Sequence, residues 1–160
     1  MRILERMISQ PASIVSRVVL AALAALSLAA CSSNPVSHDH VGHRAAAVAA
    51  EQVGVPYRYG GSSPSGFDCS GLVYYSYAAA GIRVPRTTSG QWAQMSRVSD
   101  TEMRAGDVLF FEISGKMSHV GLYLGNGRFV HAPSSGRTVA IESLNSRFYS
   151  DALVRAGRPR

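Results

Sequence analysis

At residues 66–73 the sequence is Gly-Phe-Asp-Cys-Ser-Gly-Leu-Val, and this stretch marks the passage from a loop into a helix. The preceding residues 60–66 are all Gly, Ser or Pro, which favour turns. Asp68 can cap the free N–H groups of a helix, and the apolar and small residues after it predict a helix that runs until Gly81 stops it. Cys69 is therefore predicted in the first helical turn.

The predicted position of Cys69 suits a nucleophile. The positive end of the helix dipole favours a thiolate, the form of cysteine that attacks a carbonyl, so we expect this thiol to have a lowered pKa. The free N–H groups of the same turn, including that of Cys69 itself, can then receive the oxyanion. For Cys69 considered alone, a buried structural role is the simpler interpretation. Other residues near it are needed to distinguish a catalytic cysteine from a structural one.

Two histidines, His119 and His131, lie in short apolar runs on either side of Gly125-Asn126-Gly127, a sequence typical of a β-hairpin turn. The length of the loop decides whether the two imidazoles can meet. A two-residue loop would pair Leu122 with His131 and would put the histidines on opposite faces of the sheet.

A three-residue loop gives a different register, which we adopt because it separates apolar from polar side chains. It pairs Leu124 with Arg128 and Gly121 with His131, so that His119 and His131 become diagonal neighbours on one face. Glycine opposite His131 leaves room for an imidazole ring. A set of apolar residues then shares the other face: Val120, Leu122, Leu124, Val130 and Ala132.

These positions predict a catalytic triad of Cys69, His119 and His131. His119 would accept the thiol proton and later return a proton to the leaving amine. His131 would hold the other ring nitrogen of His119 and so fix its tautomer and its orientation. For either histidine alone a structural role is the simpler interpretation, but convergence with a helix-terminal cysteine favours catalysis.

The remaining patterns predict an α+β fold in which helices precede an antiparallel sheet. Helical propensity predicts a first helix from His43 to Val53 and a short third helix from Ser89 to Arg97. After residue 104, short β-like runs are separated by Gly and Asn. They predict five strands: Asp107–Ile113, His119–Leu124, Arg128–Ala132, Thr138–Glu142 and Ala152–Ala156.

The distribution of charge and the clusters of histidine argue against two classes of function, nucleic-acid binding and metal binding. The chain has a formal net charge of +6, but its basic residues are scattered and lack the clustered stripe of a nucleic-acid-binding surface, so no nucleic-acid partner is expected. His38, Asp39, His40 and His43 lack the spacing of a recognised metal site and indicate a hydrophilic linker. No metal is therefore expected.

Five spaced motifs follow one another within the span from residue 43 to about residue 156. They are Tyr57-Arg58-Tyr59-Gly60-Gly61, Gly66 to Val73, Gly106-Asp107-Val108-Leu109-Phe110-Phe111, Ser118-His119-Val120-Gly121-Leu122-Tyr123 and Phe129-Val130-His131-Ala132. Together and in this order they resemble the NlpC family of bacterial cell-wall cysteine peptidases. The order of several motifs makes the resemblance specific, whereas Asp-Cys-Ser-Gly alone would be weak.

The resemblance implies a papain-like fold, with the cysteine-bearing helix packed on the sheet, and a Cys-His-His triad. It also nominates Tyr57 as a hydroxyl donor near the oxyanion, and Asp68 and Ser70 as contacts for a polar group of the substrate. From the sequence alone, Tyr57 is equally a core aromatic, and Asp68 and Ser70 are equally a helix cap and a first-turn hydroxyl.

The activity implied is hydrolysis of amide bonds in peptidoglycan stem peptides or cross-links, without a cofactor. The lipid-anchored, single-domain subgroup favours the bond from D-alanine to diaminopimelate, and the bond from D-glutamate to diaminopimelate is the next choice. Two other functions stay open, a non-catalytic peptidoglycan-binding lipoprotein and an acyltransferase on the same scaffold. We expect a monomer.

Residues 1–30 indicate a lipoprotein signal peptide. Basic residues precede an apolar run from Val18 to Ala30, which is too short to span a bilayer because spanning takes about 20 apolar residues. An ordinary secretory peptide cleaved near Ala30 is the alternative, and initiation at Met1 or at Met7 is left open.

The segment Leu28-Ala29-Ala30-Cys31 resembles the bacterial lipobox. This resemblance implies that Cys31 is lipidated, that residues 31–42 form a flexible tether and that residues 43–160 form the peptidase domain. Ser32, rather than Asp, follows the cysteine, which favours the outer membrane as the destination. We therefore expect a cell-envelope protein that faces the periplasm.

Overall fold

A computed structural model describes residues 38–160; the predicted signal peptide and Cys31 lie outside the described residues. Within that range the α-helices are α1 (His38–Ala50), α2 (Cys69–Ala79), α3 (Thr88–Gln94) and α4 (Arg147–Ala152). The strands are β1 (Ser62–Ser63), β2 (Gly66–Phe67), β3 (Met95–Val98), β4 (Val108–Ile113), β5 (Lys116–Gly125), β6 (Arg128–His131), β7 (Ala140–Ser143) and β8 (Leu153–Pro159).

Six strands form one antiparallel sheet in the order β3-β8-β4-β5-β6-β7, and β1 pairs with β2 in a separate ribbon. The predicted α+β class is confirmed. The predicted number of strands is one too few, because the third helix ends at Gln94 and Met95–Val98 pairs with β8 instead. Met95 and Val98 are both buried, so strand pairing and burial outweigh the helical propensity of this segment.

Each face of the sheet has its own apolar cluster. Helices α1 and α2 pack on one face, where the apolar residues of β5 and β6 that were predicted to share a side lie together. Each large apolar side chain buried there stabilises the fold by about 1.5–3 kcal/mol. The cluster on the opposite face is more aromatic and includes Phe111, Phe129 and Tyr149.

The hairpin of β5 and β6 has the predicted register away from its turn. This is seen in two pairs, Leu122 with Val130 and Tyr123 with Phe129. Close to the turn the prediction is wrong, because Arg128 pairs with Gly125 and not with Leu124. The register shifts there in a β-bulge, and residues 125–127 all have positive φ angles. The bulge absorbs one residue, so the more distant pairs keep the predicted alignment.

Helix α1 begins at His38, before the predicted start at His43, and ends at Ala50. Val41 is buried in the core cluster, so packing against the rest of the domain begins upstream of His43. The end of the segment predicted as a tether, residues 31–42, is therefore helical. No helix among residues 38–160 is both long enough and apolar enough to cross a membrane.

Candidate active site

The start of α2 carries Cys69. Asp68 is the N-cap residue, with extended backbone angles (φ −91°, ψ 174°), and its Oδ1 accepts the N–H of Gly71 at 2.7 Å. Cys69 is a free thiol, and its sulfur lies 3.9 Å from the carbonyl oxygen of Ser118 on β5. The cap thus fixes the first helical turn next to the edge of the sheet.

An open groove of about 620 Å³ runs past the Cys69 thiol. The three residues nominated for oxyanion or substrate contact, Tyr57, Asp68 and Ser70, all line it. The other lining residues come from the neighbouring loop, the start of α3 and β5: Tyr59, Gly60, Arg86, Thr87, Thr88, Ser89, Met117 and Ser118. The groove is therefore lined by residues of α2, the neighbouring loops, α3 and β5, with Cys69 among them.

The two histidines meet on the face predicted from the hairpin register. Nε2 of His119 lies 2.7 Å from Nδ1 of His131, and both side chains are buried, with 5% and 1% of their surface exposed. Gly121 allows this approach, because a Cβ atom there would lie 2.7 Å from Cδ2 of Phe129 and 3.3 Å from Cβ of His131. A side chain at position 121 would therefore crowd the Phe129 ring and His131.

The Cys69 thiol lies against the part of β5 that carries His119. Its sulfur contacts the Ser118 carbonyl, and the backbone of Val120 is within hydrogen-bonding reach of the same sulfur. Ser118 and Val120 are the two neighbours of His119 in the sequence. The first turn of α2 and the hydrogen-bonded histidine pair therefore converge on one short segment of β5.

The pKa of Cys69 is raised, and not lowered as the helix dipole led us to expect. Burial raises the pKa, and the Asp68 carboxylate raises it further. Hydrogen bonds from the backbone of Val120 and Ser70 and from the Thr88 side chain oppose this rise but do not cancel it. The thiol is therefore protonated in the resting protein, because loss of solvent outweighs the favourable field of the helix end.

The histidines are neutral for the same reason. Burial lowers the pKa of His119 to about 4. Burial also lowers the pKa of His131 to about 3, and the charges of His119 and Arg137 add to the effect. At neutral pH each imidazole therefore carries one N–H and one lone pair, as a general base requires.

A polar network stands beside Cys69 in the groove. The guanidinium of Arg86 donates to both carboxylate oxygens of Asp68, at 2.9 and 2.7 Å, to Oγ of Ser70 at 3.0 Å and to the carbonyl of Gly61 at 3.0 Å. Burial acts to raise the pKa of Asp68, but the hydrogen bonds from Arg86 and two backbone amides outweigh it and lower the pKa. Asp68 is therefore both the helix cap and a charged wall of the groove.

Tyr57 lines the groove within electrostatic range of the Cys69 thiol. Burial raises its pKa, and Cys69, Asp68 and Tyr59 raise it further, so the phenol keeps its proton at neutral pH. Its backbone N–H donates to the carbonyl of Arg137 at 2.8 Å, which fixes this part of the loop. Tyr57 thus carries a protonated hydroxyl and is only partly buried, packed against the edge of the core.

Two residues of α3, Gln91 and Trp92, have structural roles. Trp92 packs edge-on against Phe110, with ring centroids 5.2 Å apart, under the guanidinium of Arg155. Gln91 is fully buried and donates from its amide to the carbonyls of Ser70 and Pro85. Neither lines the groove, and Gln91 instead ties α3 to the first turn of α2.

Two residues near the site, Thr88 and Tyr149, could not be predicted from the sequence. Thr88 reaches Cys69 from the start of α3, and Tyr149 approaches His131 from α4 with its hydroxyl 3.4 Å from Nε2. Neither stands in a motif, because the chain brings both to the site only by folding. Among residues 38–160, no three His, Cys, Asp or Glu side chains are placed to hold a metal ion.

A cysteine at a helix N-terminus lies against the strand of an antiparallel sheet that carries one histidine, and a second histidine on the next strand is hydrogen-bonded to the first. This arrangement is typical of the papain-like class of α+β proteins. The model of the NlpC/P60 family matches residues 54–158. The chain therefore belongs to the NlpC/P60 family, and the resemblance in its sequence motifs is confirmed.

Similar proteins come from several organisms. The chain is 42% identical over 114 residues to murein DD-endopeptidase MepH of Escherichia coli (strain K12), covering 68% of this chain and 42% of that protein. It is 46% identical over 109 residues to the bifunctional muramidase/DL-endopeptidase CwlT of Bacillus subtilis (strain 168), covering 66% and 32%. The structure of NlpC2 from Trichomonas vaginalis superimposes with a TM-score of 0.70 at 31% identity, covering 75% and 47%. The chain spans less than half the length of each.

Proposed function

We propose that this protein is a peptidoglycan hydrolase, a cysteine endopeptidase that cleaves amide bonds in stem peptides or their cross-links. The observation that carries the proposal is a free thiol at a helix start, in an open groove, against the strand that carries one of two hydrogen-bonded histidines. Membership of the NlpC/P60 family supports it, since one relative is named a murein endopeptidase.

In the proposed reaction the sulfur of Cys69 attacks the substrate carbonyl carbon while the thiol proton moves to Nδ1 of His119. His131 occupies Nε2 of His119, which leaves Nδ1 for the thiol. Because burial keeps both groups neutral at rest, proton transfer accompanies the attack rather than preceding it. The C–N bond then breaks, His119 returns the proton to the leaving amine, and water hydrolyses the thioester.

The proposed oxyanion donors are the backbone N–H of Cys69 and the hydroxyl of Tyr57. The first lies in the first turn of α2, where helical N–H groups have no partner within the helix. The second stays protonated because its pKa is raised. Donors already in position stabilise the negative oxygen of the tetrahedral intermediate without reorganising, and losing one such donor costs about 10²–10³ in kcat.

His131 is the proposed orienting residue. Its hydrogen bond to Nε2 fixes both the tautomer and the ring angle of His119, the role of the third member in other triads. The ring of Phe129, with its centroid 5.0 Å away, packs against His131 and holds it in turn. His131 would act through His119 and would not touch the substrate.

The polar wall of the groove is the proposed binding surface for the stem peptide. Asp68 stays charged at neutral pH because its pKa is lowered, and Ser70 and Arg86 present a hydroxyl and a guanidinium beside it. Such groups suit the charged and amide groups of a peptide stem. Asp68 and Ser70 would contact the substrate without taking part in proton transfer.

For the bond, the first choice is the cross-link between D-alanine and diaminopimelate, and the second is the bond between D-glutamate and diaminopimelate. The name of MepH, a DD-endopeptidase, supports the first choice, and that of CwlT, a DL-endopeptidase, supports the second. Both bonds are amides that the same acyl-enzyme chemistry can cleave.

For location, we propose a monomer attached to the outer membrane by lipid on Cys31 and facing the periplasm. The lipobox-like sequence before Cys31 supports the anchor. Membrane fractions of cells grown with radiolabelled palmitate should contain labelled protein, and Cys31→Ala should remove both the label and the membrane attachment. A labelled Cys31→Ala protein would contradict the anchor.

The activity is tested with purified residues 31–160 and two muropeptide substrates, a cross-linked dimer and an uncross-linked monomer. The wild-type protein should convert at least one of them into a new stem fragment seen by mass spectrometry, and the fragment mass identifies the bond. Cys69→Ala should yield no fragment. Tyr123→Phe is the control variant and should cleave normally. It removes a hydroxyl that accepts the N–H of Gly127 in the hairpin turn.

Other outcomes assign other functions. Unchanged substrate with both wild type and Cys69→Ala, together with retention of the protein on peptidoglycan, would favour the binding lipoprotein. A product in which the acyl part is joined to an added amine rather than to water would favour the acyltransferase. Cleavage that survives Cys69→Ala would exclude the proposed nucleophile.

A further inference from the structure

Tyr149 extends the line of hydrogen-bonding groups beyond His131. Helix α4 places it on the face of the sheet that carries the histidines, with its hydroxyl 3.4 Å from Nε2 of His131. Its ring stands perpendicular to that of His131, with centroids 5.4 Å apart, and also packs against Phe111 and Phe129. These contacts hold the hydroxyl at the imidazole.

The bonds along this line depend on one another. The line runs from Nδ1 of His119 through its Nε2 to Nδ1 of His131, and from Nε2 of His131 to the Tyr149 hydroxyl. A neutral imidazole has one N–H and one lone pair, so the direction of either bond fixes the direction of the other. Both imidazoles are neutral because burial lowers the pKa of each.

Only two arrangements satisfy every bond. In the first, Nε2–H of His119 donates to His131, Nε2–H of His131 donates to the Tyr149 oxygen, and Nδ1 of His119 has a free lone pair. In the second, the Tyr149 hydroxyl donates, both histidines carry their proton on Nδ1, and His119 presents an N–H to the thiol. A nitrogen that already carries a proton cannot accept one, so only the first arrangement gives a general base.

We propose that Tyr149 is a positioning residue whose hydroxyl oxygen accepts a hydrogen bond from Nε2–H of His131 and thereby holds His119 in the tautomer that can take the Cys69 proton. This inference rests on the proposed function, because it assigns a task to that proton transfer. Tyr149 touches neither the thiol nor the groove, and it acts through the two histidines.

The surroundings of Tyr149 support the accepting role. Burial raises the pKa of Tyr149, and the Glu142 carboxylate raises it further, whereas Arg137 lowers it. The phenol is therefore neutral, and a neutral hydroxyl has lone pairs that can accept a hydrogen bond. Nε2 of His131, at 3.4 Å, is placed to donate to this oxygen.

The first test reads the tautomers directly. Nitrogen-15 NMR of the full chain with labelled histidine distinguishes protonated from unprotonated ring nitrogens at pH 7.5. In the wild type both His119 and His131 should carry the proton on Nε2. In Tyr149→Phe a measurable fraction of His131 should carry its ring proton on Nδ1. In the same molecules His119 should also carry its proton on Nδ1. Tyr123→Phe, which also loses one hydroxyl hydrogen bond, should keep the wild-type spectrum.

The second test reads catalysis on the muropeptide that the wild type cleaves. Tyr149→Phe should lower kcat about tenfold, equivalent to about 1.4 kcal/mol of activation free energy, and leave KM unchanged. In a His131→Asn background Tyr149→Phe should have no further effect on kcat, because the residue through which it acts is gone. Circular dichroism and the thermal midpoint establish that each variant is folded.

Three results would overturn the proposal. They are a wild-type spectrum with the His131 proton on Nδ1, unchanged tautomers in folded Tyr149→Phe, and an equal loss of kcat from Tyr149→Phe with and without His131. Failure of the proposed function looks different, since cleavage would then survive Cys69→Ala or be absent from the wild type. The tautomer measurement decides the direction of the Tyr149 bond in either case.

Discussion

Lowering the pH from 8 to 5 should destabilise this protein through two buried residues, His119 and His131. Burial lowers the pKa of His119 to about 4 and that of His131 to about 3, whereas a histidine in an unfolded chain has a pKa near 6.5. Below pH 6.5 the unfolded state therefore binds protons that the folded state cannot bind. The free energy of unfolding must fall as the pH falls through this range.

The size of the effect follows from the same values. One pKa unit corresponds to about 1.4 kcal/mol, so the interval between pH 6.5 and pH 5 costs about 2 kcal/mol for each histidine and about 4 kcal/mol for the pair. In the folded state His119 is protonated only near pH 4. Below that pH it binds a proton in both states, so it no longer changes the free energy of unfolding with pH. Carboxylates add little in this range, because even the ordinary pKa of Asp68, 3.8, lies below it.

Urea unfolding at pH 8 and at pH 5, followed by the fluorescence of the single tryptophan Trp92, measures the difference. The wild type should lose about 4 kcal/mol, His131→Asn about 2 kcal/mol and the double variant His119→Gln/His131→Asn close to none. His43→Gln removes an exposed histidine and is the control, which should match the wild type. A wild-type loss below about 1 kcal/mol, or an equal loss in the double variant, would refute the reasoning.

Three further predictions concern the groove and the sheet beneath it. Gly121→Ala should destabilise the fold by about 1–3 kcal/mol and lower kcat, because the new Cβ lies 2.7 Å from the Phe129 ring; a normal kcat in the folded variant would contradict this. Cys69 should be alkylated with a midpoint above pH 8.5, the value of a free thiol, since burial raises its pKa, and a midpoint below neutrality would contradict it. Asp68→Asn keeps the helix cap but weakens the ion pair with Arg86, so the free energy of unfolding should fall by about 1 kcal/mol. Kinetic measurements should show a raised KM. An unchanged KM would show that Asp68 does not bind the substrate.

Local patterns allowed the central part of the site to be predicted. The Asp68 cap and the position of Cys69 follow from residues within a few positions of each other, and they are present in the structure. The meeting of His119 and His131 follows from loop length and side-chain alternation within one hairpin. The only error there, the pair beside the turn, came from a β-bulge that these rules do not indicate.

What the sequence did not reveal depends on contacts between distant segments. Residues 95–98 have helical propensity but form a strand, because β8, far along the chain, offers them a free sheet edge. Tyr149 meets His131 only because α4 turns back over the sheet. The predicted lowering of the Cys69 pKa was wrong, because the pKa is raised. The helix dipole can be inferred from a helix start in the sequence, whereas the burial of the thiol depends on which distant residues pack against it.

That raised pKa changes how the site has to be understood. A thiolate held ready by a cationic imidazole would be nucleophilic at all times, and it would also react with oxidants. Here the thiol and both imidazoles are neutral at rest. In the proposed reaction, the sulfur would therefore become a strong nucleophile only when a carbonyl carbon is close enough to receive it. Cys69 has no disulfide partner among residues 38–160, and protonation therefore protects it in the oxidising periplasm proposed for this protein. The burial that would make proton transfer harder would thus also keep the proposed nucleophile intact between substrates.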